Sequence, residues 1–208
     1  MVAQVQNTQS ENTTSNRIGN WQAVLLFAVI ALPMVLALLI YKTGIGMPAG
    51  TINEGLMLSP AKQINVIAKA DNDGHSLLAT GKKWRLVIPY SQNCDRACAS
   101  NLYITRQVHI RLGEKARRVE RVLLSMGADK TALEKLLQEH PRMRVMNIEA
   151  SDFSRWLSES SLPESVDPLQ HYLLVDEDGF AMMAYNTEHE GNQLLKDIKR
   201  VLKFTNEE

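Results

Sequence analysis

The hydrophobic pattern divides the chain sharply. From Ile18 to Tyr41 no side chain is charged, and the apolar run from Trp21 to Tyr41 is long enough, at about 1.5 Å per helical residue, to cross roughly 30 Å of hydrocarbon. Trp21 and Tyr41 stand at its two ends, where an interfacial aromatic belt places such rings. Pro33 falls in the middle, a position that membrane helices tolerate better than soluble ones. The run exceeds the apolar stretch of an ordinary secretory signal, and no compact small-x-small site follows it closely. We therefore read 21–41 as an uncleaved transmembrane helix.

Beyond the span, apolar and polar positions alternate with the periods of a soluble protein. Residues 1–20 read as a polar tail and 42–62 as a linker, punctuated by Gly44, Gly46, Pro48, Gly50, Gly55 and Pro60. A domain over 63–208 follows. Ile64–Ala68 and His75–Ala79 flank the Asp-Asn-Asp-Gly of 71–74 and predict a short hairpin. Trp84–Tyr90 is an apolar run of strand length. From Ala99 to about Met126, Leu102, Val108, Leu112, Val119, Val122 and Leu123 recur mostly at helical spacing, which predicts a long helix broken near Gly113. Ala128–His140 predicts a shorter helix stopped by Pro141, Met143–Ile148 a strand, and Ser151–Leu157 a helix capped by Ser151. Tyr172–Asp176 and Phe180–Tyr185 flank a second Asp-Gly turn at 178–179. Gly191–Phe204 closes the chain as an amphipathic helix with Leu194, Leu195, Ile198, Val201 and Leu202 on one side. This order predicts a two-layer α/β domain with a mixed sheet, since crossovers make some strand pairs parallel and the tight turn makes one antiparallel.

Composition refines this picture only slightly. With 208 residues, 45% of them hydrophobic, the chain has material for one core plus an appendage. Lys+Arg and Asp+Glu balance at 23 each, so charge gives no support to a nucleic-acid partner or to an acidic solvating tail. Arg17 and Lys42 flank the span one on each side, and charge alone does not orient it. A short tail followed by a large domain with paired cysteines favours tail inside and domain outside an inner membrane, in the oxidising periplasm.

The candidate chemistry is in the two cysteines. Cys94 and Cys98 lie four apart where a predicted strand gives way to a helix. A helix N-terminus favours the thiolate; Arg96 adds to that effect and Asp95 opposes it. Such a pair can exchange disulfides, hold a thiophilic metal such as Cu(I), or staple the loop. No phosphate loop, Ser/His/Asp set or zinc-spaced set accompanies it. His75, His109, His140 and His189 read as surface or satisfied histidines. Met182 and Met183 offer thioethers, though a strand position makes at least one of them core. The Arg111–Arg121 cluster reads as a solvated helix face.

The order strand, cysteine pair, helix is that of the thioredoxin-like fold. Gly81-Lys-Lys-Trp84-x-Leu86-Val87, Tyr90 and Cys94-x-x-x-Cys98 resemble the Sco-type copper chaperones of cytochrome c oxidase assembly, which are thioredoxin-like domains on a single membrane anchor. The Asp-Asn-Asp-Gly turn, the Val175-Asp-Glu-Asp-Gly179 turn and the closing basic helix are similar too, so that the resemblance spans 63–204. It implies copper binding or disulfide exchange through Cys94 and Cys98, and a cytochrome oxidase subunit or assembly factor as partner. The family carries proline after each cysteine, whereas this chain has Asp95 and Ala99. Its third copper ligand is a histidine at a position that here falls near Pro168, three residues before His171. His171 is the residue that the resemblance offers as metal ligand beside Cys94 and Cys98. Two other readings stand beside it: an interaction module with a structural disulfide, and a general thiol–disulfide oxidoreductase.

Overall fold

The structure is a computed structural model, and it describes residues 19–43, 52–71, 73–92, 94–162 and 167–205. The polar tail through Arg17 and residues 44–51 of the expected linker lie outside them. Helix α1 (Asn20–Thr43) holds the apolar run, with Pro33 inside it. Its apolar side chains are solvent-exposed, Trp21 and Tyr41 among them. It is long and apolar enough to cross a membrane.

Residues 52–208 form a compact unit of their own. Its strands are β1 (Leu56–Gln63), β2 (Trp84–Ser91), β3 (Val119–Met126), β4 (Met143–Asn147), β5 (Tyr172–Val175) and β6 (Phe180–Tyr185), interleaved with α2 (Arg96–Arg111), α3 (Lys130–Glu139), α4 (Ala150–Ser158) and α5 (Gly191–Phe204). They make one mixed sheet in the order β1-β6-β5-β2-β3-β4. The pairs β2–β3 and β3–β4 are parallel. The pairs β2–β5, β5–β6 and β1–β6 are antiparallel.

Strand alternation sorts the core into two layers. Leu86, Ile88, Tyr90, Leu123 and Leu174 face α2 and α5, with α3 packed beside them. Val87, Val122, Leu124, Leu173 and Val175 face Phe153, Trp156 and Leu157 of α4. The amphipathic stripe of α5 is as expected: Leu194, Leu195, Ile198 and Leu202 are buried, each stabilising the fold by roughly 1.5–3 kcal/mol.

Four local expectations are corrected. Residues 119–126, expected to continue a helix, are β3, which is flanked by a parallel strand on each side and buried almost throughout. A strand covered on both faces loses the alternation that identifies one. The expected hairpin at 71–74 does not form. Its flanks are instead 3-10 turns at Ile64–Val66 and Leu77–Thr80, which bury Ile64 and Leu77, and Asp71 makes an isolated bridge to Met146. Residues 56–62, read as linker, belong to edge strand β1, and Pro60, which cannot donate to a ladder, sits in its irregular middle. Ser151 lies within the first turn of α4, and Glu149 holds the cap position without a side-chain cap.

Candidate redox site at the cysteine pair

Central strand β2 carries the chain to the carboxyl edge of the sheet, and α2 begins five residues past Ser91. Asp95 caps α2 by accepting a hydrogen bond from the Cys98 backbone N–H at 2.9 Å. The cap lies between the two cysteines and draws them together: their Cα atoms are 5.2 Å apart and the sulfurs are bonded as a disulfide. The two sulfurs differ in access. Cys98 is buried in the α2 face of the core, while Cys94 is half-buried and lines a cavity of about 430 Å³ between α2 and α3. Tyr90, Leu102, Arg106, Lys135 and His140 also line it. An accessible sulfur backed by a buried one at a helix N-terminus is the arrangement that thiol–disulfide exchange requires.

His171 is buried just ahead of β5. Its Nδ1 lies 3.1 Å from the Asp167 carbonyl, and its Nε2 is buried without a hydrogen-bond partner. Burial pushes its imidazole below the ordinary histidine range, despite the opposing carbonyl contact, and so favours the neutral, metal-ligating form. The Pro168–Gln170 turn before it is tied to α2, where Asn101 Nδ2 donates to the Gln170 carbonyl at 2.9 Å. His171 is not among the residues lining the cavity at Cys94.

The other singled-out residues separate clearly. His75 is exposed, His109 Nε2 sits 2.9 Å from the Val119 carbonyl, and His189 packs edge-on against Tyr185. Met183 is core and Met182 half-buried. Sequence reasoning missed the cationic wall behind the cavity. Arg121, expected on a solvated helix face, is buried in β3, where its Nη2 donates to the Leu102 carbonyl at 3.0 Å and to Thr105 Oγ1 at 3.1 Å. Its Nη1 approaches His140 Nδ1 at 3.5 Å. Desolvation, and then the nearby Arg106, bring the Arg121 pKa down to about 10, so it remains a cation at neutral pH.

A central strand running into a cysteine-bearing helix, a parallel strand on one side and an antiparallel hairpin with a closing helix on the other define a thioredoxin-like domain. Residues 84–205 match the family described as "Transmembrane-like, thioredoxin-like, C-terminal domain", and the chain belongs to that family. No curated protein matches the chain. Among solved structures, the apo Sco1 protein from Thermus thermophilus is 15% identical, with a TM-score of 0.53 over 74% of this chain and 99% of that one. Yeast Sco1 with copper bound is 13% identical, with a TM-score of 0.52 over 76% of this chain and 97% of that one. A thiol:disulfide interchange protein from Bacteroides sp. is 17% identical, with a TM-score of 0.47 over 70% and 88%. At these identities the likeness to the two Sco1 proteins concerns the fold alone.

Proposed function

We propose that this chain is a membrane-anchored thiol–disulfide exchange protein, with α1 as an uncleaved anchor and the domain on the periplasmic side of an inner membrane. Its partner would be a cytochrome oxidase subunit or assembly factor that carries a cysteine pair. The carrying observation is the asymmetry of the two sulfurs, Cys94 at a cavity and Cys98 buried behind it. In the reducing direction the Cys94 thiolate attacks one sulfur of the partner's disulfide, breaking that bond and releasing one partner thiolate. Cys98, as thiolate, then attacks Cys94 Sγ, forms the Cys94–Cys98 bond and expels the second partner thiolate. The partner gains two electrons and the pair loses two, and the cysteine protons pass through solvent to the released thiolates. The reverse sequence starts from the disulfide present here and oxidises a partner dithiol.

The test is trapping in the full chain held in neutral detergent. Cys98→Ser should accumulate a mixed disulfide with a disulfide-bonded partner peptide, whereas Cys94→Ser should not. Equal trapping by both variants, or none by either, would overturn the exchange reading and leave a structural disulfide in an interaction module.

A second reading rests on the unpartnered Nε2 of His171. With the pair reduced, two thiolates and this neutral imidazole are the donor types that Cu(I) as cargo would take, and its binding requires them to converge on one ion. Anaerobic Cu(I) titration against a calibrated chelator should then show stoichiometric binding that is lost in Cys94→Ser/Cys98→Ser and weakened in His171→Ala. Unchanged binding in either variant would dismiss that donor set.

A further inference from the structure

The cavity at Cys94 is a groove between two helical stripes. Ala99, Leu102, Tyr103 and Arg106 fall on one face of α2, and Ala132, Lys135, Leu136 and Glu139 on one face of α3. Leu102 and Leu136 give it apolar walls. Its charge is net positive, two lining cations against one lining carboxylate. Arg106 and Lys135 line it, Arg121 lies buried behind Leu102, and the lining carboxylate is Glu139. Arg121 Nε has no hydrogen-bond partner. Among the described residues no carboxylate bonds the Arg121 guanidinium, and neither Arg106 nor Lys135 is ion-paired. A buried cation without a counter-ion projects its field into the adjoining cavity, where low dielectric strengthens it.

We infer that the groove selects partner segments carrying a Glu or Asp about three residues from the exchanging cysteine, with the acidic side chain seated between Arg106 and Lys135. The inference rests on the exchange reading above and names its substrate class. The spacing follows from two rises. Ala99, which follows the disulfide-bonded Cys98 and lines the cavity with Cys94, marks the cysteine end; it and Arg106 are seven helical residues apart, about 10 Å along α2, and an extended peptide covers about 10 Å in three residues. The occupant is an acidic peptide segment, because the apolar walls match its backbone and aliphatic parts and the cationic end matches a carboxylate.

The experiment uses the full chain in neutral detergent with its Cys94–Cys98 disulfide intact. Three dithiol peptides differ only in Glu, Gln or Lys three residues from the lead cysteine. An acidic neighbour lowers a peptide's own thiolate fraction, so each rate is divided by that of the same peptide with hydroxyethyl disulfide. The normalised rate for Glu should exceed that for Lys by about tenfold at low salt and converge with it at high salt. Arg106→Glu/Lys135→Glu should reverse the order, read as the Glu-to-Lys ratio within that variant. Equal normalised rates for all three peptides, or an order unmoved by the double variant, would overturn the inference and leave the exchange reading intact. No exchange with any of the three peptides would overturn both.

Discussion

Two buried arginines on neighbouring strands meet opposite fates. Arg85 of β2 is fully buried on the α4 side, within 3.4 Å of Glu120, and donates to the carbonyls of Gly81 and Lys83. Glu120 also faces Arg144 at 3.6 Å and accepts from Thr80 Oγ1, and Asp71 faces Arg144 at 3.5 Å. Two arginines and two carboxylates thus close into a neutral network that fastens the Asp71 and Thr80 turns to the sheet. Arg121 on the α2 side has backbone and hydroxyl acceptors and a histidine nitrogen. Consecutive strand residues point to opposite faces, so Glu120 and Arg121 deliver opposite charges to the two layers. The first arrangement secures the fold, and the second leaves positive potential behind the groove that Cys94 lines.

The largest effect should come from breaking the neutral network. Glu120→Gln keeps the shape and removes the charge, so Arg85 and Arg144 face each other with Asp71 beside Arg144 and Asp176 acting more weakly on Arg85. Removing one partner of a buried ion pair costs about 3–5 kcal/mol. Glu120 keeps a little exposure, so we expect about 3 kcal/mol, seen as a lowered urea midpoint in neutral detergent. A change below about 1 kcal/mol would mean that the pairs are no stronger than surface ones.

Arg121→Met is the matching change on the other face, and its expected effect on stability is smaller. Among the described residues no carboxylate compensates the arginine's desolvation, so an apolar side chain of similar length should leave stability within about 1 kcal/mol of the parent or raise it. The normalised Glu-to-Lys rate ratio in the peptide assay should nevertheless fall. A loss as large as that of Glu120→Gln would show that Arg121 holds the fold as Arg85 does, and the contrast between the faces would disappear.

Much of this could be read from the residues before the fold was known, because the signals were local. The apolar run of α1, the strand of 84–90, the α5 stripe and the Asp-Gly turn of 178–179 each lie within one segment. So do Cys94 and Cys98, with Asp95 between them, although its role as cap emerged only with the helix start. β3 was hidden because Val-Glu-Arg-Val at 119–122 places two charges inside a buried strand, where they mimic a solvated helix face. Gly113 and Gly127, both with positive φ, bracket the 3-10 turn of 113–118 and this run, and were the available hint. The cationic groove was not legible, because it joins stripes of α2 and α3 with a residue from β3.

The smallest effect is a pH dependence that separates the two arginines again. His109, His140 and His171 all sit below the ordinary imidazole range, with burial the main cause in each. For His140, repulsion from Arg121 and Arg106 comes next. A lowered folded pKa means that the unfolded chain takes up protons first as pH falls. Stability from these groups is therefore complete above about pH 6.5 and is lost as pH drops through the lower folded values. Glu54 and Glu159, held low by hydrogen bonds from Lys196 and Lys62, lose their contribution only in the more acidic carboxylate range, so a scan from about pH 7.5 to 5.5 isolates the histidines. The urea midpoint should fall across that scan. Arg121→Met should shallow the fall by relieving His140 and, more weakly, His109, whereas Glu120→Gln, on the opposite face, should lower the midpoint and leave the slope unchanged. Parallel slopes for the parent and Arg121→Met would show that the field of Arg121 does not reach the ring and that burial and Arg106 lower the His140 titration without it.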